Sequence, residues 1–335
     1  MKTGWERSTP LLVPSLETIR KLPIPIFNGR ELTSMTLLNG GLSNTNLKIT
    51  TNTEERFVLR IYSKQNTSIE MERNILKMLE ERIQVPQVLY SDSSCAGLQH
   101  PFIILSWMEG VQLSEYMQNG KNQDIASLAA EVGGTLAKIH HIHFPDGGFF
   151  DDSLNIEETV KLDKNSFMEF IEGSLVTGYG CKHLGKDTCE EILTFAREHT
   201  SLLDCLREQD CLVHGDFNPL NILVDTQKHG CTISAVLDWE YAFSGSPLFD
   251  IGNFLRYERI EDSNSILPFI TAYQKNGGNL PEKWLQQAKL LDLIALSELV
   301  NKEVCGTAKS KDIKRLMLKM MTEWEKYDAV QSSYV

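Results

Sequence analysis

Between residues 33 and 62 the chain alternates apolar runs with polar turns: SMTLL, the glycine-containing NGGLSNTN, LKIT, the polar TNTEER and FVLRIY. β-Branched and aromatic residues in the runs, with turn residues between them, predict three strands. The period then changes. In TSIEMERNILKMLEER, residues 67–82, the apolar positions Ile69, Ile75, Leu76 and Leu79 recur at helical spacing. VPQVLYSD and PFIILSW predict two more strands, separated by a loop containing Gly97. The first 108 residues therefore read as a small antiparallel sheet with one main helix.

After Gly110 helical periodicity dominates. Residues 124–143 place Ile125, Leu128, Val132, Leu136 and Ile139 on one face. Similar patterns return around 188–208, 248–259, 281–301 and 309–327, interrupted by two apolar strand candidates, NILV at 221–224 and ISAVL at 233–237. Residues 144–152 read as an irregular loop. A sheet-rich first third followed by a helix-rich remainder predicts an α+β chain with two lobes, residues 1–108 and 109–335, hinged near 106–110.

Composition narrows the function classes. With 41% hydrophobic and 23% charged residues over 335 positions, the chain can build a large core. A net charge of −12 argues against general nucleic-acid binding, which needs a basic patch, and permits a cationic small-molecule partner, although acidity also simply serves solubility. No apolar run approaches a membrane span, and MKTGWERSTPLLVPS lacks the apolar core of a leader. Seven scattered cysteines without CxxC spacing predict free thiols and a cytoplasmic protein without a zinc site.

Two strings carry chemistry. LVHGDFNPLNILVD, at 212–225, puts His-Gly-Asp, four residues and Asn221 on one tight loop before a short strand. SAVLDWE, at 234–240, ends a strand in Asp238. Phosphoryl transfer demands positioning and charge neutralisation rather than covalent chemistry. Asp216 can orient an acceptor hydroxyl and take its proton, while Asn221 and Asp238 supply the oxygen ligands that Mg²⁺ prefers. Singly, His-Gly-Asp is compatible with a capping turn and Asp238 with a strand end. Their order and local structures together favour the catalytic reading. His140, His141 and His143 read as helix-end residues. Glu240, Glu258, Glu261 and Asp262 are candidates for an acidic pocket facing an amine-rich substrate, or simply a solvated face.

HGDFNPLN and VLDWE, after a glycine-containing strand–loop–strand, resemble the aminoglycoside phosphotransferase and choline kinase superfamily, over about residues 33–260. The resemblance implies a two-lobed, protein kinase-like fold with a mostly helical second lobe. It implies Asp216 as catalytic base, Asn221 and Asp238 as Mg²⁺ ligands, and His214 and Asp250 as supports of the catalytic loop. It also implies a phosphate-covering loop over 39–46 with Ser43 and Asn44, and Arg60 paired with Glu72. Backbone groups of Ser106 and Met108 should face the base of ATP or GTP. Arg60 stands where protein kinases carry lysine, and keeps a permanent, forked charge. NGGLSNTN is not G-x-G-x-x-G, so its phosphate contacts would come from Ser43, Asn44 and backbone N–H groups, although a plain hairpin loop is the alternative. Gly215 replaces the arginine that answers an activation-loop phosphate, which argues against a protein kinase.

The sequence thus points to a kinase that phosphorylates a hydroxyl on a small molecule, with an aminoglycoside-like antibiotic or other amino sugar favoured. VLRIY resembles choline and ethanolamine kinases, a branch that usually carries Asn in place of Gly215. A sugar kinase, or an inactive nucleotide-binding scaffold, completes the alternatives.

Overall fold

The computed structural model describes residues 2, 4–7, 9–38, 41–63, 69–119, 122–206, 210–226, 231–258 and 265–332. Glu261 and Asp262 of the expected acidic pocket, and Asn39 and Gly40 of the expected phosphate loop, lie outside them.

The first lobe is built from α1 (Leu16–Arg20), β1 (Leu32–Leu37), β2 (Thr45–Thr51), β3 (Arg56–Ile61), α2 (Ile69–Leu79), β4 (Val88–Asp92) and β5 (Phe102–Ser106). Its strands form one antiparallel sheet in the order β1-β2-β3-β5-β4. Every second residue of β2 is buried, the period-2 signature of a strand with one core face. That face contributes Leu47, Ile49, Leu59 and Ile61 to a small core closed by Ile19 of α1 and Ile24. On the other side, α2 buries Ile69, Ile75, Leu76 and Leu79, the four positions its periodicity marks, in the main core shared with the second lobe.

The second lobe begins with β6 (Val111–Gln112), α3 (Leu113–Asn119) and α4 (Asn122–His140). It continues through β7 (Gly148–Phe150), β8 (Ile156–Thr159), α5 (Lys164–Glu172), α6 (Gly180–Leu184) and α7 (Lys186–His199). Then come β9 (Cys211–Val213), β10 (Ile222–Asp225), β11 (Thr232–Val236), β12 (Phe243–Gly245) and α8 (Leu248–Phe254). The chain closes with α9 (Ile266–Lys275), α10 (Trp284–Val300), α11 (Thr307–Thr322) and α12 (Trp324–Ser332). Two small antiparallel sheets, β11-β10-β6 and β8-β7-β12-β9, hold the loops after β9 and β11 side by side. Helix α4 lies against α9, and Gly133 permits the close crossing: a Cβ there would collide with the Phe269 carbonyl.

Two expectations are corrected. Residues 144–152 are not wholly irregular, because β7 pairs with β8 and β12 there; three residues are too few to show a period. Cys181 and Cys189 form a disulfide, with Cα atoms 5.8 Å apart, where free thiols were expected. They meet because the turn at Gly185 folds α7 back beside α6, a tertiary event that no spacing motif announces. Cys95, Cys211, Cys231 and Cys305 are free. Among the described residues no helix is long and apolar enough to cross a membrane.

Candidate active site

The loop after β9 is fixed from below by a buried carboxylate. Asp250, fully buried on α8, accepts the N–H of His214 at 2.8 Å and that of Gly215 at 3.0 Å. Gly215 has φ +79°, and a Cβ there would collide with the Tyr241 carbonyl. Glycine is thus required by both conformation and space. The buried His214 ring accepts the Asp216 N–H at Nδ1 (3.2 Å), so Nε2 carries the proton and donates to the Leu237 carbonyl at 2.8 Å. That bond, with Leu237 N–H to the Asn221 carbonyl (2.8 Å), ties the Asp216 loop to the strand end bearing Asp238.

Asp216 is held on both oxygens. Asn218 Nδ2 donates to Oδ1 at 2.8 Å and Asn221 Nδ2 to Oδ2 at 3.0 Å. The Lys2 ammonium reaches both oxygens at 3.0 Å. Burial pushes the Asp216 carboxyl up, but Lys2, with Arg256 and His214 behind it, outweighs burial and holds it below its ordinary value. The group is an anion poised to orient a donor.

Across the cleft, Arg60 of β3 is buried, with Nη1 2.5 Å from Glu72 Oε1 and 2.9 Å from Asp238 Oδ1, and Nε 3.1 Å from Asn46 Oδ1. Burial opposes its charge, yet Glu72 and Asp238 more than compensate and keep it cationic. Glu72 also accepts the Tyr62 hydroxyl. Asp238 sits at φ +70°, an uncommon backbone state for an L-residue and one that clusters at functional sites. Its Oδ1 is buried and faces the Arg60 guanidinium. Because the Asn221 amide nitrogen is committed to Asp216, its oxygen is the atom left for a cation. A hard carboxylate and a hard amide oxygen fit Mg²⁺, which takes its remaining ligands from phosphates and water. Among the described residues no group of three or more His, Cys, Asp or Glu side chains is arranged to hold a metal unaided.

The other expected residues are distributed as follows. Asn44 is buried and donates to Glu240 Oε2 at 2.7 Å, and Ser43 Oγ lies 2.8 Å from the Tyr241 hydroxyl. Glu240 therefore belongs to the Arg60–Asp238 side of the cleft; burial and neighbouring Asp238 push its carboxyl up to about 8. Glu258 stands apart, its Oε2 accepting from Ser265 at 2.9 Å and its carbonyl from Lys319 at 2.6 Å. The Ser106 N–H bonds the Gln87 carbonyl at 2.9 Å, which removes that donor from any base, and Met108 Sδ lies 3.8 Å from Ser106 Oγ.

Three participants escaped the sequence reading. Asn218 sits inside the quoted string, and its amide spacing to Asp216 was a usable signal. His140 ends α4 as expected, but it is also buried, with Nε2 3.2 Å from Asp250 Oδ2 and Nδ1 2.9 Å from the Tyr273 hydroxyl. Lys2 gave no local signal.

The model of the phosphotransferase enzyme family matches residues 34–284. Acyl-CoA dehydrogenase family member 11 of Mus musculus is 26% identical over 181 residues, which is 50% of this chain and 20% of that protein. The chain thus matches about a fifth of that relative's length. Among solved structures, the GDP complex of an aminoglycoside 2′-phosphotransferase has a TM-score of 0.65 at 17% identity, covering 92% of this chain and 97% of its own. An ADP-bound aminoglycoside phosphotransferase gives 0.58 at 18% over 91% and 97%. A macrolide 2′-phosphotransferase of Brachybacterium faecium gives 0.56 at 16% over 93% and 96%. At these identities the likeness concerns the fold.

Proposed function

The chain belongs to the phosphotransferase enzyme family, and from that premise we propose that it transfers the γ-phosphoryl group of a Mg-bound nucleoside triphosphate to a hydroxyl of a small molecule. The observation that carries this reading is the hold on Asp216: both carboxylate oxygens accept amide N–H groups, while the two preceding backbone N–H groups are clamped by Asp250. An acceptor hydroxyl donating to Asp216 is aligned for attack. Its oxygen forms the new bond to phosphorus, the bond from phosphorus to the nucleoside diphosphate breaks, and the proton passes to the carboxylate. Because Asp216 is a weak base, its main work is orientation, with the proton arriving late. Asp238 and Asn221 would hold Mg²⁺, which when bound neutralises phosphate charge. Arg60, fixed by Glu72, adds a permanent positive charge beside it.

We further assign a cationic acceptor, with amino sugars first. The −12 charge and an Asp216 carboxylate that already accepts an ammonium support this. Choline or ethanolamine is the second choice.

The test is a coupled ADP- or GDP-release screen over aminoglycosides, choline, ethanolamine and sugars, followed by Asp216→Asn on the acceptor found. Asparagine preserves the loop and removes the anion. Nucleotide affinity should stay within about twofold while kcat falls about a hundredfold or more. Near-normal kcat in the folded variant would refute the assignment.

A further inference from the structure

We propose that Lys2 governs access to the acceptor site: the described residues 2, 4–7 and 9–15 form a strap across the cleft whose Lys2 end must leave Asp216 before an acceptor can bind. The proposal rests on the phosphotransferase reading above.

The strap touches both lobes. At one end, Trp5 N–H closes a turn onto the Lys2 carbonyl at 3.2 Å, with Gly4 at φ +73°. This turn delivers the Lys2 ammonium to Asp216, while the Lys2 N–H lies 3.3 Å from the Tyr257 hydroxyl. The Trp5 ring is buried, and its Nε1 donates to Asp312 at 3.2 Å. Glu6 accepts the Ala308 and Lys309 N–H groups at the start of α11. At the other end, Arg7 binds the carbonyls of Gly41, Ser43 and Asn44, Thr9 binds that of Ser43, and the Leu12 N–H meets Thr45 Oγ1 at 3.0 Å.

These two ends do different things. In a trans peptide the N–H points opposite the carbonyl. With the carbonyls of Ser43 and Asn44 turned toward the strap, the N–H groups of Asn44 and Thr45 point away from it, the orientation a phosphate-covering loop needs. The Arg7–Leu12 end is therefore compatible with bound nucleotide and stays anchored. The Lys2 end is not compatible with acceptor, because its ammonium fills the hydrogen-bonding directions of Asp216 that an acceptor hydroxyl must use. Displacement is an exchange: an acceptor carrying a hydroxyl and a nearby cation replaces what Asp216 loses. Without Lys2 the half-buried Asp216 would keep only the Asn218 and Asn221 amides as partners.

Lys2→Met and Lys2→Glu test this against the parent chain. Three readouts apply: nucleotide affinity, basal hydrolysis of Mg-bound ATP or GTP without acceptor, and hydrogen exchange along the strap. Opening the cleft lets water reach Asp216, so hydrolysis should rise severalfold in Lys2→Met and further in Lys2→Glu, whose charge repels Asp216. Exchange around Trp5 should rise while that around Leu12 stays unchanged. The opposite ordering of rates would make Lys2 part of the catalytic apparatus and overturn the gate, as would unchanged hydrolysis with intact nucleotide binding. If no variant and no parent binds nucleotide, the phosphotransferase reading falls and the gate with it.

Discussion

The hydrogen bonds around Asp250 tie one buried carboxylate to the loop that carries Asp216. Asp250 clamps two backbone N–H groups of the Asp216 loop and is itself met by His140, which Tyr273 orients. His140→Leu removes one partner of a fully buried carboxylate, which should lower stability by about 1–3 kcal/mol and reduce kcat without altering nucleotide affinity. His140→Gln can restore a donor to Asp250 and should recover much of the rate. A stability loss with unchanged kcat in the leucine variant would make His140 structural only. Residue type and local spacing mark Asp216, Asn221 and Asp238, and the family resemblance pairs Arg60 with Glu72, a contact the structure contains. Nothing local marks His140: its partners lie 110 and 133 positions away. Lys2 is a stronger case, meeting Asp216 across 214 positions.

At the scale of elements, legibility followed length and burial. Helices α2 and α4 show their periods, and the structure buries the marked positions except Ile125, which is half-buried. The three-residue strands β7, β9 and β12 are too short to show one. Helix α9 begins Ile-Leu-Pro, yet Pro268 lies in its first turn, where a missing N–H does no harm. Helix α5 had a readable start, the Asp163–Ser166 capping box, that the periodicity search passed over. Helix α10 is buried almost all round and carries the Asp292–Arg256 ion pair, 2.6 Å, beside Lys289. Burial pulls the Lys289 ammonium down to about 8, with Lys319 and Arg256 adding to it and Asp292 opposing, while Nζ donates to the Leu255 carbonyl at 2.6 Å. In the unfolded chain lysine titrates near about 10.4. Between these two values the unfolded state binds more protons, so this group raises stability as pH rises from about 8 to about 10, by up to about 3 kcal/mol. The contribution is lost as pH falls through 8. Lys289→Met should therefore gain on the parent most at or below pH 7 and lose that advantage toward pH 10. Denaturant midpoints across that range measure it; a constant difference would mean Lys289 titrates normally in the fold.

Besides the apolar core they share, the two lobes are joined by polar links: Arg60–Asp238, Asn44–Glu240 and Ser43–Tyr241 each join the first lobe to residues 238–241. The last of these bears on how nucleotide would leave. Sequence resemblance assigns Ser43 to the phosphates, whereas the structure sets its hydroxyl 2.8 Å from that of Tyr241. If the bond acts as a latch holding the phosphate loop down, Ser43→Ala and Tyr241→Phe break one and the same interaction. A hydrogen bond of this kind is worth about 0.5–1.5 kcal/mol. Nucleotide release, followed by stopped flow with a fluorescent analogue, should then quicken about two- to tenfold in either variant and no further in the double variant. The coupling energy should equal the single effect, since each substitution deletes a partner of the same pair. Multiplying effects would instead mean that Ser43 contacts phosphate independently of Tyr241, and that the latch forms only in the nucleotide-free protein.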